Sequence, residues 1–193
     1  MVEDICFHLI DLVQNSVAAG AKYIRLNIIE SKNQDALILE VADDGKGMDN
    51  QTLENVQDPF FTTKSFKKVG LGIPLLKATA QSCQGDFSIR SQVGRGTEVK
   101  ASMQRSHLDC PPLGNLEETL LSLLASLDQA NLQFFYRSDR GEFSVSSGAI
   151  RQQIGELHFS HPEVYHFLKE YIHEGLGRLL APANRSQGPT AHI

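Results

Sequence analysis

The sequence has few cysteines, no excess of basic residues and no long apolar run. Its three cysteines, Cys6, Cys83 and Cys110, include no Cys-x-x-Cys pair, which disfavours a disulfide framework or a structural zinc site. The formal net charge of -5 argues against a basic face for nucleic acid or an anionic membrane. No apolar stretch is long enough for a membrane span, and no basic stretch followed by an apolar core opens the chain. We therefore expect a cytoplasmic protein with reduced thiols and with neither a membrane nor a nucleic acid as partner.

The composition indicates a globular chain, and the sequence suggests a domain boundary just after its middle. The chain has 193 residues, of which 41% are hydrophobic. A chain of this size can bury one hydrophobic core, or one core and a small additional domain. Two prolines and a glycine interrupt the hydrophobic pattern of helices and strands between residues 106 and 114. We predict a first domain over 1–106, an extension over 115–180 and a flexible tail over 181–193, which is polar and punctuated by proline and glycine.

Apolar periodicity predicts the elements on both sides of this boundary. In the first part it predicts helices over 5–17, 50–57 and 71–83, and strands over 23–30, 36–42, 86–92 and 97–103. In the second part it predicts helices over 116–127 and 162–180 around a hairpin formed by 132–138 and 142–146. This pattern favours an α+β protein: a two-layer α/β sandwich, a mixed sheet with helices on one face, followed by a small α+β C-terminal extension.

Four short motifs in the first half carry chemistry. They are Asp11-x-x-x-Asn15, Asp43-Asp44-Gly45-Lys46-Gly47, the loop from Asp58 to Lys64, and Gly70-Leu71-Gly72-Ile73. A carboxylate and an amide one helical turn apart can serve a metal ion and a base. A strand-end aspartate can accept a hydrogen bond from the amino group of adenine, and a glycine pair that opens a helix can receive phosphate. Each motif alone also fits a plain turn, a solvated helix face or a basic loop.

The order and spacing of the four motifs resemble the GHKL ATP-binding superfamily, which includes sensor histidine kinases, gyrase B subunits, mismatch-repair ATPases and the large heat-shock chaperone. The resemblance covers about residues 1 to 104 and is nearest to the ATP-binding domain of histidine kinases. It implies a Bergerat-type fold with ATP and Mg²⁺ as cofactors.

The resemblance also implies roles for individual residues. Asn15 matches the family's Mg²⁺ ligand, and Asp11 matches its general base. The hydrolysing branches of the family usually carry glutamate at the position of Asp11, and aspartate is one methylene shorter. Asp43 matches the residue that accepts from the amino group of adenine. The other candidate nucleotide contacts are Gly45 and Gly47 in the turn, Met48 and Ile73 as apolar walls, Phe60, Thr63 and Lys64 in the lid, Gly70, Leu71 and Gly72 at the phosphates, and Thr97 near the site.

Three functions remain open at this stage. The chain is expected to act as a stand-alone regulatory protein kinase or ATPase on a partner protein, because too little sequence precedes Asp11 for the phospho-accepting helical hairpin of a sensor kinase. His8 is interpreted as a residue flanking the site, and the histidines over 158–173 are not expected to form a metal site. The alternatives are an ATP-hydrolysing dimer clamp of the mismatch-repair and gyrase type, with the chain as a homodimer, and a non-catalytic switch that docks a partner when ATP is bound.

Overall fold

Alternating and helical hydrophobic patterns give six strands and six helices in the part of the chain that the structure describes. The structure, a computed structural model, describes residues 4–58, 72–127, 129–155 and 157–180. The strands are β1 Tyr23–Ser31, β2 Ala36–Asp43, β3 Phe87–Gln92, β4 Gly96–Gln104, β5 Asn131–Ser138 and β6 Gly141–Ser146. The helices are α1 Ile5–Ala18, α2 Asn50–Asn55, α3 Gly72–Ser82, α4 Leu116–Ser126, α5 Ser147–Ile154 and α6 Pro162–Leu180.

The six strands form one mixed sheet in the order β3-β4-β2-β1-β5-β6. β1 and β5 pair in parallel, and the other neighbours pair antiparallel. Asp43 at the end of β2 lies opposite Ile24 on one side and Thr97 on the other. This register brings the motif that follows β2 next to the hairpin that joins β3 and β4.

The helices cover one face of the sheet because the strands alternate between apolar and polar side chains. The buried set includes Ile24, Leu26, Ile28, Leu37, Leu39, Val41, Leu132 and Phe134. α1 packs on β1 and β2, α3 packs on β3 and β4, and α6 packs on β6, while α4 contacts α1 and α6. On the other face Tyr23 is 65% exposed, and Arg25 and Lys100 are also exposed. The predicted α+β class, with helices on one face of a mixed sheet, is confirmed.

The extension belongs to the same sheet as the first part of the chain. β5 pairs with β1 from Tyr23 to Glu30, and β6 continues the sheet beyond β5. The helix α5, which follows β6 directly, was not predicted from the sequence. The domain boundary between 1–106 and 115–180 stays a prediction, and the predicted tail 181–193 lies outside the described residues.

None of the described helices has both the length and the apolar character that crossing a membrane requires.

The β1–β2 turn is fastened to the end of β4 by one carboxylate. Asp35, at a φ of 51°, accepts hydrogen bonds from the Ser106 hydroxyl and backbone N–H, both at 2.7 Å, and from the Gln104 amide at 2.8 Å. These three hydrogen bonds lower the pKa of the Asp35 carboxyl below its usual value. A carboxyl whose pKa is lower in the folded state stabilises the fold above its unfolded pKa, and this contribution is lost as the pH falls through the folded pKa.

We expect Asp35→Asn to make thermal stability less sensitive to acid, because the variant has no carboxyl to protonate at this turn. Circular dichroism would record the melting temperature of both proteins between about pH 7 and pH 3, a range that spans the ordinary carboxyl pKa. The exposed Asp86 provides the matched control, and Asp86→Asn should retain the acid dependence of the parent. Equal acid dependence in the parent and Asp35→Asn would contradict this account.

Candidate functional site

Asp11 and Asn15 lie one turn apart on α1, where the sequence places them on one helix face. α1 begins after Asp4, whose carboxylate caps the helix by accepting from the Phe7 N–H at 3.0 Å. The apolar stripe of α1 is buried against the sheet and α3. Asp11 and Asn15 are only partly buried, so both side chains lie at the rim of this packed layer.

The first residue of α3 meets α1 at Asp11. A Cβ atom on Gly72 would overlap the Asp11 carboxylate oxygen Oδ2, so a side chain at Gly72 would force the Asp11 carboxylate out of this position. The structure therefore brings the first and fourth motifs together. Ile73, the next residue, is 8% exposed and belongs to the hydrophobic core.

Several predicted contacts cannot be placed in the structure. The lid residues Phe60, Thr63 and Lys64 and the glycine-motif residues Gly70 and Leu71 lie outside the described residues. Their roles stay predictions.

Asp43 is held by hydrogen bonds to both carboxylate oxygens. The Ser16 hydroxyl donates to Oδ2 at 2.7 Å, and the Gly45 backbone N–H donates to Oδ1 at 2.9 Å. Ser16 is 3% exposed and lies on α1 directly after Asn15. Because each oxygen of a carboxylate can accept more than one hydrogen bond, Asp43 keeps a fixed orientation and still has lone pairs for a ligand.

The turn after β2 is attached to α1 on one side and to the β3–β4 hairpin on the other. The Lys46 N–H donates to the Ala19 carbonyl at 2.9 Å, and the Lys46 carbonyl accepts from the Gly94 N–H at 2.8 Å. Gly47 has a φ of 64°, and a Cβ there would overlap the Gln92 carbonyl. Only glycine fits this position without displacing the hairpin.

Met48 and Thr97 are joined through Ser91. The Ser91 hydroxyl accepts from the Met48 N–H at 2.8 Å and lies 3.0 Å from the Thr97 hydroxyl. Thr97 stands opposite Asp43 in the register of β2 and β4. A Cβ on Gly96 would overlap the Asp43 carbonyl, so this glycine also permits close packing beside the site.

Sequence reasoning missed Ser16 and Ser91 as parts of the site. Ser16 occupies a buried position of the α1 stripe, four residues after Leu12, where an apolar residue would be usual. A polar residue on a buried helix stripe needs a hydrogen-bond partner, and this signal could have identified Ser16. Ser91 resembles any other hydroxyl on a strand, and only the strand register shows its connection to Met48 and Thr97.

Asp44 has a structural role. Its carboxylate oxygen Oδ1 accepts from the Lys22 N–H at 2.7 Å and from the Tyr23 N–H at 2.9 Å. Asp44 therefore fastens the start of β1 to the end of β2, while Asp43 beside it keeps its hydrogen bonds with α1 and the turn.

A cleft of about 680 Å³ lies beside this end of the sheet, and Asp43 and Asp44 are among the residues that line it. Its walls include Tyr23, Arg25, Gln133 and, from α5, Gln152. Asp43 reaches toward Ser16 of α1, on the helix-covered face, whereas Tyr23 and Arg25 lie on the open face. Of the three polar site residues, Asp43 lines the cleft, whereas Asp11 and Asn15 do not, so the cleft does not unite them.

The site thus combines a fixed carboxylate, an acid and amide pair, and a helix that begins against them. A fixed carboxylate can select a hydrogen-bond donor on a ligand, and an amide oxygen can coordinate a divalent cation. The donor set of Asn15, Asp11 and Asp43 fits both a divalent cation and a nucleotide.

Comparison with known proteins assigns this arrangement to a family. Residues 3–107 match the profile described as "Histidine kinase-, DNA gyrase B-, and HSP90-like ATPase". The chain is 42% identical over 89 residues to the sensor protein kinase FleS of Pseudomonas aeruginosa, covering 46% of this chain and 22% of FleS. It is 30% identical over 88 residues to sporulation kinase C of Bacillus subtilis, covering 46% of this chain and 20% of that kinase. The match therefore spans about a fifth of the length of these curated relatives.

Among solved structures, the chain is similar to the N-terminal domain of a DNA repair protein. It has a TM-score of 0.49 and 14% identity, and the match covers 74% of this chain and 51% of that one. From the family match over 3–107 and the sheet and helices described above, this chain belongs to the histidine kinase-, DNA gyrase B- and HSP90-like ATPases and carries a histidine-kinase-like ATPase domain.

Proposed function

We propose that this protein binds ATP with Mg²⁺ between α1, the turn after β2 and the start of α3, and uses it as a regulatory protein kinase or ATPase that acts on a partner protein. The observation that carries the proposal is the double hydrogen bonding of Asp43 by Ser16 and Gly45, at 2.7 and 2.9 Å. These two hydrogen bonds fix the orientation of the Asp43 carboxylate, and Asp43 lies opposite Thr97 in the sheet.

Asp43 would recognise adenine through its exocyclic amino group, which guanine lacks at that position. A hydrogen bond to a charged acceptor stabilises binding by about 1.5–3 kcal/mol. The Ser16 hydroxyl and the Gly45 N–H hold the carboxylate before ligand arrives, so little conformational entropy is lost on binding. Met48, held through its N–H by Ser91, would lie at the wall of the base pocket.

Asn15 would supply an amide oxygen to Mg²⁺, which usually takes few protein ligands together with phosphate oxygens and water. Asp11 would act one turn away as the general base: it takes the proton of the attacking side chain or water while the γ-phosphoryl group passes from ATP to that nucleophile and ADP leaves. Magnesium, when bound, neutralises charge that develops on the phosphates.

The remaining predicted contacts would surround the phosphates. Gly72 opens α3 against Asp11, and the free N–H groups of a helix start favour an anion. We assign Gly70 and Leu71 to the same phosphate loop, and Phe60, Thr63 and Lys64 to the lid. Lys64 would add a mobile positive charge.

The relatives favour the kinase over the other readings. FleS and sporulation kinase C are both named as kinases, although the match covers only about a fifth of each. The phospho-acceptor would then be a side chain of a separate partner protein.

Asp43→Asn should weaken ATP binding about tenfold or more, because the amide presents one acceptor oxygen instead of a charged carboxylate. Isothermal titration calorimetry would give the dissociation constants for ATP and GTP, and the preference for ATP should shrink in the variant. Ser16→Ala should give a smaller loss, since it frees the Asp43 side chain without removing its charge. Unchanged ATP affinity in a folded Asp43→Asn protein would contradict the proposal that Asp43 recognises adenine.

Asn15→Ala should abolish the Mg²⁺ dependence of ATP affinity, because the amide oxygen that binds the ion is removed. The dissociation constant would be measured with Mg²⁺ and with a chelator. Gln14→Ala, at the neighbouring exposed position of α1, is the matched control and should behave like the parent. If the parent binds ATP equally well with and without Mg²⁺, the metal assignment is wrong.

Incubation of the purified protein with γ-labelled ATP, Mg²⁺ and cell lysate tests the reaction itself. A kinase labels a lysate protein, and that band should disappear with Asn15→Ala. Phosphate release without a labelled band would instead identify the hydrolysing clamp. ATP binding with neither product would identify the non-catalytic switch.

A further inference from the structure

β6 forms the last strand of the sheet in the described part of the chain. It pairs with β5 on one side, and no described strand pairs with its other edge. Alternate N–H and C=O groups of an antiparallel edge strand point outward, and such an edge can accept another strand. Only six residues, Gly141–Ser146, form this strand.

Exposed aromatic side chains of α6 lie next to this edge of the sheet. The ring of Phe143 on β6 contacts that of Tyr171 at a centroid distance of 5.6 Å, and Tyr171 stacks on Phe167 at 6.1 Å. Tyr171 is 42% exposed and Phe167 is 52% exposed. Glu174 and Arg178, also exposed, fall on the same side of α6 by helical spacing. We call these four residues of α6 the edge flank.

The edge flank points away from the neighbouring helix α4. His173, on another side of α6, lies 2.9 Å from Glu117 of α4. Gly175 faces the sheet, since a Cβ there would overlap the Phe143 ring. With α4 on one side and β6 beneath, the edge flank extends the free edge of the sheet.

We propose that this surface binds a second copy of the same chain, with β6 pairing antiparallel to β6 around a two-fold axis at Ser144. Such a dimer joins the two sheets into one. It does not require nucleotide, so it stands independently of the function proposed above.

The sequence of β6 favours this register. With Ser144 opposite Ser144, Phe143 pairs with Val145 on the helix-covered face, and aromatic with β-branched pairs stabilise antiparallel sheets. On the open face, Glu142 lies opposite Ser146. An axis at Glu142 would instead place two like charges opposite each other, which destabilises pairing.

The edge flank complements itself about the same axis. Gly175 lies over Phe143, and Leu179 lies 3.3 Å from the position of a Cβ on Gly141, so α6 runs antiparallel to β6. One residue of strand is about as long as two residues of helix. Because Gly175 lies over Phe143, the α6 residue level with Ser144 is therefore about two positions earlier, at His173. An axis there brings Arg178 of one copy level with Phe167 of the other, and Glu174 level with Tyr171, each to within about one residue, or roughly 1.5 Å, along the helices.

The contacts at this axis have favourable chemistry. A guanidinium over an aromatic ring gives a cation–π interaction, and a tyrosine hydroxyl can donate to a carboxylate. Exposed aromatic residues and arginine are also the residue types that dominate binding at protein interfaces. The charge pattern of the edge flank therefore fits a second copy of this chain.

Cysteine cross-linking tests the axis directly in the 193-residue chain. Ser144→Cys places two thiols opposite each other, with Cβ atoms about 4.5–5.5 Å apart, close to the spacing of a disulfide. Glu142→Cys is the matched control on the same face, where the two copies are separated by about four strand residues, roughly 13 Å. Both variants carry Cys110→Ser, which removes the half-buried native thiol; Cys6 and Cys83 are buried.

With oxidised glutathione as the oxidant, Ser144→Cys should form a disulfide-linked dimer at least about tenfold faster than Glu142→Cys, because only its thiols meet at the axis. Non-reducing electrophoresis measures the rate. Equal rates, or no cross-linked dimer from a folded Ser144→Cys protein, overturn the proposal.

Sedimentation equilibrium tests the edge flank without new thiols. Phe167→Ser should raise the dimer dissociation constant about tenfold or more. Tyr165→Ser, which alters an aromatic residue 41% exposed on another side of α6, should leave it unchanged. Equal effects of the two variants, or a monomeric parent, contradict the proposal. If a chain ending at Leu180 dimerises where the parent does not, the occupant of the edge is the segment 181–193, and the proposal fails.

Discussion

The turn from Asp43 to Met48 is held in backbone contact on both of its sides. Lys46 hydrogen-bonds to the end of α1 and to the β3–β4 hairpin, and Gly47 approaches the hairpin so closely that a Cβ would not fit. The orientation of Asp43 follows from this position together with the Ser16 hydroxyl. A shift of the turn would therefore disturb its connections to α1, to the hairpin and to the Asp43 carboxylate at once.

Local patterns in the sequence predicted most of the elements. The helical stripe of α1 and the alternation of β1 and β2 are strong because each buries one complete face. The predicted α6, over 162–180, coincides with the observed helix. α5 was missed because it is eight residues long and starts with serine and glycine, which are typical of turns as well as of helix starts.

Long-range contacts are what the sequence could not provide. The motifs identified Asp11, Asn15 and Asp43 as candidates, but no local pattern shows that Ser16 donates to Asp43 or that Gly72 meets Asp11. These contacts depend on how α1 and α3 pack on the sheet. The parallel pairing of β1 with β5 is equally hidden, because nothing in either strand specifies a neighbour so distant in the chain.

The pairing of β1 with β5 has a consequence for synthesis on the ribosome. β1 precedes the other described strands in the sequence, yet one of its two neighbours emerges only after α4 has been translated. Until then, β1 is an incomplete sheet edge next to apolar side chains, a state that favours association with other chains. The inside of the sheet is therefore completed only after α4 has been translated, when β5 closes the edge beside the strand pair that leads into Asp43.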